Sequence, residues 1–65
     1  MSHVILRRDE VERRTGYKHT TIYKKMADGE FPKTIRLGAK AVGWLESEVE
    51  AWLDARVEAR DREAA

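Results

Sequence analysis

No cysteine occurs among the 65 residues. That excludes a disulfide framework and any zinc site built on thiolates. Proline is almost absent: Pro32 is the single one, so it marks one irregular boundary and leaves the rest free for regular elements. Histidine is scarce too. His3 and His19 stand too far apart for a paired ligand motif, so no metal site and no cofactor are expected. Long apolar runs are missing. The stretch Val4-Ile5-Leu6 is far too short for an export signal or a membrane span. The expectation is a soluble, cytoplasmic protein with no membrane partner. Nucleophile–base sets and phosphate loops are absent as well, so no enzyme and no catalytic residue are expected.

What is present is charge. The net value of +1 hides an asymmetry. Up to Lys40 there are ten basic residues against five acidic ones; from Ala41 onward there are three against seven. A basic front and an acidic back point to a nucleic-acid partner on the basic side. A chain of this length makes one small domain. Residues 1–59 are expected to form it, and residues 60–65, charged and alanine-rich, to fray.

Hydrophobic spacing predicts four elements. A first helix spans about Arg8 to Thr15, with Leu6, Val11 and Thr15 inward. Glu10 and Glu12 sit near its positive end, Arg13 and Arg14 near its negative end, and Gly16 stops it. A second helix begins near Lys18 and ends at Gly29, with Ile22 and Met26 inward and Thr20, Thr21 and Lys24 opposite. Thr34 to Leu45 alternates on both sides of Gly38, which predicts a β-hairpin with Lys40 at its tip. A last helix opens at Glu46 or Ser47, where Ser47 and Glu50 have capping-box spacing. Val49, Trp52, Leu53 and Val57 form its apolar stripe. The fold class is α+β, mostly α: a helix-turn-helix, a hairpin wing and a packing helix.

In such a domain the second helix of the pair enters the DNA major groove. His19, Thr20 and Lys24 are placed to reach base edges, and Thr21, Tyr23 and Lys25 to hold phosphates. Lys33, Arg36 and the tip residue Lys40 are placed to grip backbone or minor groove. Each has a plainer reading. Lys24 and Lys25 serve equally as solubility charges, Tyr23 as packing against the first helix, His19 as a solvated side chain, and the two threonines as weak caps.

The stretches LRRDEVERRTGYKHTTIYKKMADGEFPKTIRLG and AVGWLESEVEAWL resemble the AlpA family of small phage-type transcriptional regulators, grouped with excisionases and the DNA-binding domains of MerR-type regulators. The resemblance spans nearly everything from Leu6 to Leu53. It implies a winged helix-turn-helix that binds DNA site-specifically and regulates prophage or integrase genes, or acts as a recombination directionality factor. By position it puts Thr20, Thr21, Tyr23 and Lys24 in the recognition helix, Lys40 at the wing tip, and Trp44, Trp52 and Leu53 in the core.

One departure stands out. Family members place Ser or Thr at the caps of both early helices, where this chain has Arg7 and Lys18. A cation cannot accept the orphan N–H bonds of a helix start. Lys18 is therefore expected to await a DNA phosphate. A single domain this small makes few base contacts, so dimers or tandem copies are expected on repeated sites. The acidic last helix is a solvated back, or a contact for integrase, polymerase or a second copy. The rival in another class is a protein-interaction module, such as an antirepressor. Such a binder has no use for the basic front.

Overall fold

The structure, a computed structural model, describes residues 3–64. The elements run β1 (Ile5–Leu6), α1 (Arg8–Thr15), α2 (His19–Ala27), β2 (Ile35–Arg36), β3 (Val42–Leu45) and α3 (Glu46–Ala64). Helices α1 and α2 form the helix-turn-helix, β2 and β3 the wing, and α3 closes the core. The fold class read from the sequence is the one observed.

Gly16 ends α1 in the left-handed region, at φ 77°, where a side chain is strained. Its N–H donates to the Glu12 carbonyl at 2.8 Å. Thr15 secures the same turn: its hydroxyl donates to the Val11 carbonyl and accepts from the Tyr17 N–H. Helix α2 ends in a Schellman motif. Gly29, at φ 75°, donates to the Met26 carbonyl, and the Glu30 N–H donates to the Lys25 carbonyl at 2.8 Å.

The sheet has the order β1-β3-β2, all antiparallel. Ile5 faces Leu45 and Leu6 faces Trp44 across one edge; Ile35 faces Gly43 and Arg36 faces Val42 across the other. The hairpin tip closes where Leu37 and Gly38 both donate to the Ala41 carbonyl. Strand β1 is absent from the sequence expectation, because two residues carry no period. It forms because pairing with β3 buries Leu6 and satisfies its backbone.

The start of α3 differs from the expected capping box. The chain passes from β3 straight into the helix, and the Glu46 N–H donates to the Val4 carbonyl at 2.9 Å. Val4, just before β1, thus supplies the acceptor. Glu50, free of that duty, accepts from Arg14. At its other end α3 continues to Ala64, whereas the sequence reading has residues 60–65 as a frayed tail; Ala65 lies outside the described residues. With no Gly or Pro after Glu46 and with Ala, Glu and Arg in plenty, helix propagation meets no local obstacle.

The core is Leu6, Val11, Ile22, Phe31, Trp44 and Val49, with Tyr17, Met26, Trp52 and Leu53 packed against it. Full burial of Val11, Ile22 and Val49 is worth about 1.5–3 kcal/mol each. Phe31 and Tyr17 were not foreseen, since neither lies on a periodic stripe. Val57 was expected inside and is 46% exposed. The body ends at Leu53, and the rest of the stripe has nothing to pack on.

Both tryptophans hold the loop after α2. Trp44 donates to the Pro32 carbonyl at 3.0 Å and Trp52 to the Glu30 carbonyl at 2.7 Å. Phe31, between those residues, meets the Trp52 ring edge-on at 4.9 Å, and Tyr17 meets it at 5.9 Å. Each such pair adds about 0.5–1.5 kcal/mol.

Candidate nucleic-acid interface

The basic residues of the front divide into two sets. Three of the ten are engaged. Arg13 pairs with Glu10 at 2.8 Å. Arg14 pairs with Glu10, Glu46 and Glu50, at 2.9–3.2 Å. Its guanidinium is held above its usual pKa, chiefly by the Glu10 hydrogen bond, against a desolvation cost, with Glu46 and Glu50 adding. This residue ties α1 to α3. Lys25 stands 3.6 Å from a Glu30 carboxylate oxygen and 5.4 Å from the centre of the Tyr17 ring. The Schellman turn explains this: it brings Glu30 back alongside Lys25, one turn below.

The other seven, Arg7, Arg8, Lys18, Lys24, Lys33, Arg36 and Lys40, make no ion pair among the described residues. All seven are exposed. They lie at the start of α1, on α2 and on the wing. Unpaired cations are what counterion release on a polyanion requires.

A groove runs between the start of α1, the middle of α2 and the wing. It is lined by Arg7, Arg8, Asp9, Glu12, Tyr23, Lys40 and Val42. It brings together two residues expected from sequence, Tyr23 and Lys40, and two not placed in the site, Arg7 and Arg8. Tyr23 has one side on the core, its ring 6.2 Å from that of Trp44, and is 40% exposed. The ring it packs on is that of Trp44 in β3, and its exposed part lines the groove. A signal for Arg7 existed: it stands where the helix wants a capping acceptor.

Neither early helix start carries a side-chain cap. Arg7 and Lys18 both have extended backbone, and neither makes a capping bond. Thr20 and Thr21 do not replace them. Thr20 and Lys24 are exposed with no partner among the described residues, and Thr21 is half-buried. A second hollow, lined by Thr21, Lys24, Lys25, Asp28 and Glu30, mixes the two signs of charge at the far end of α2. His19 lies 3.5 Å from Glu12. Lys33 and Arg36 are exposed but do not line the groove.

Helix α2 has nine residues, about 13.5 Å of helix. Its outward side chains are short hydroxyls, an imidazole and an ammonium, all able to reach base edges in a groove about 12 Å wide. No helix among the described residues is long and apolar enough to cross a membrane.

Comparison with known proteins agrees with this geometry. The family described as Prophage CP4-57 regulatory protein (AlpA) matches residues 4–57. A protein of Enterobacteria phage P4, the uncharacterized protein ORF88, is 46% identical over 57 residues, which take in 88% of this chain and 65% of that protein. The chain therefore spans just under two thirds of that relative's length. The DNA-binding transcriptional activator AlpA of Escherichia coli K12 is 41% identical over 58 residues, 80% of this chain and 83% of that protein.

Proposed function

This chain belongs to the AlpA family of prophage regulatory proteins, and from that membership we propose that it binds duplex DNA site-specifically and regulates transcription of prophage or integrase-type genes. The observation that carries the reading is the division of charge. Seven front cations are unpaired among the described residues and lie at the start of α1, on α2 and on the wing, while Arg13, Arg14 and Lys25 are paired with carboxylates.

In the proposed complex α2 lies in the major groove, with Thr20, Lys24 and His19 toward base edges. Arg7, Arg8, Lys18 and Lys40 meet phosphates on either side. Lys33 and Arg36 extend the backbone contact along the wing. The role is binding without catalysis, in the cytoplasm, and the chain acts as a dimer or as tandem copies on repeated sites. Integrase or RNA polymerase is the protein partner. An excisionase-like directionality factor would use the same contacts, and only the position of its site would differ.

The test is fluorescence anisotropy against duplex DNA at two salt concentrations. Affinity should fall steeply with salt, each phosphate contact adding about 0.9 to the log–log slope. Binding that is absent at low salt, or indifferent to salt, removes the DNA reading and leaves the protein-interaction module.

A further inference from the structure

His19 is the first residue of α2, and its imidazole lies against α1. Its Nδ1 stands 3.5 Å from Glu12 Oε2. The backbone explains the meeting. Gly16 stops α1 by donating to the Glu12 carbonyl, and α2 starts three residues later, so its first side chain folds back beside Glu12. The carboxylate is the more sheltered partner, with 31% of the Glu12 side chain exposed against 53% for His19. Helix α2 has no acidic residue in its own first turn and no side-chain cap. Glu12 is the anion that α1 supplies there instead. The other ring nitrogen, Nε2, has no partner among the described residues.

We propose that Glu12 is a positioning residue for base recognition, and this rests on the DNA-binding reading above. In the neutral imidazole a carboxylate, which can only accept, favours the tautomer with its proton on Nδ1. The tautomer of a histidine is set by the partner of its other nitrogen. Nε2 is then presented to the major groove as an acceptor. It selects an exocyclic amino group, adenine N6 or cytosine N4, at the base pair facing the start of α2. An unheld imidazole rotates and offers a donor or an acceptor alike, and so selects little. Glu12 need not touch DNA to act. It shares a groove with Asp9 and with Arg7, Arg8 and Lys40, and the three cations outnumber the two carboxylates.

The experiment begins with the duplex that the wild-type chain selects from a randomised library. Affinities are measured for that duplex and for every single-base substitution of it. The chains are wild type, Glu12→Ala, Glu12→Gln, His19→Ala and the Glu12→Ala/His19→Ala double variant, each checked for folding by circular dichroism. At one position wild type should prefer an amino-bearing base by about tenfold. Glu12→Ala and His19→Ala should each shrink that preference to about twofold or less, with little change on duplexes already substituted there. The double variant should match His19→Ala alone, as expected when both residues act through one contact. Glu12→Gln offers a donor as well as an acceptor at the same reach and should weaken the preference.

A Glu12→Ala variant that shifts affinity for all duplexes equally, or keeps the preference intact, overturns the proposal. So does a wild-type demand for guanine at that position. A wild-type chain that binds no duplex sinks the DNA reading itself. That result cannot be confused with the others.

Discussion

The indole N–H of Trp52 donates to the backbone carbonyl of Glu30 at 2.7 Å, so the packing helix α3 holds the loop after α2 through main chain. The contact joins residues 22 apart in sequence. The placement of the loop that follows α2 thus depends on a residue of α3.

Trp52→Phe keeps most of the ring and removes the donor. It should lower stability by about 1 kcal/mol, the net value of one hydrogen bond, as read from urea unfolding. Aromatic contact with Phe31 and Tyr17 should survive. A variant as stable as wild type would show that water replaces the indole at no cost.

Gly43→Ala should be costlier. A Cβ there would stand 2.5 Å from Ile5 Cγ2 and 3.0 Å from the Leu6 carbonyl oxygen. The backbone oxygen cannot step aside without breaking β1 from β3. Overpacking of this kind costs about 1–3 kcal/mol. A thermal melt checks it, and an unchanged midpoint would mean that β1 does not pair as described.

Lys18→Ser restores a capping acceptor to α2. Stability should rise by about 0.5–1 kcal/mol. DNA affinity should fall, and the salt slope should drop by about 0.9 as one phosphate contact is lost. If affinity holds while stability rises, Lys18 is not a phosphate ligand.

Adjacent lysines should behave differently. Lys24→Ala removes an exposed, unpaired cation from the outward face and should cost about 1–3 kcal/mol of binding if it reads a base. Lys25→Ala removes a cation already engaged by Glu30 and the Tyr17 ring. Its effect should fall mainly on stability. Equal losses of affinity in the two variants would contradict the division of charges.

Helix periodicity in the sequence was strong where a stripe had a partner. Val11, Ile22 and Val49 were readable because spacing alone puts them on one face. Val57 continued the same stripe and came out exposed, since periodicity says nothing of where the body ends. Ser47 and Glu50 have the spacing of a capping box, yet the Val4 carbonyl and Arg14 take up the helix start and Glu50, and neither is local. The tip of the wing was legible from Gly38 and Lys40. The groove was not, because Arg7 and Tyr23 meet Lys40 only after three elements fold together.

By itself the sequence determined the helix-turn-helix, the wing and the basic front, for each follows from interactions a few residues long: apolar spacing, glycine stops and local charge. The folded structure alone decided that Arg14 is claimed by Glu46 and Glu50 while the groove residues Arg7, Arg8 and Lys40 stay open. Lys24 and Lys25 are indistinguishable as residue types, and only the Schellman turn that returns Glu30 to Lys25 separates them. Charge pairing depends on distance in space, and that distance is set by the folded chain.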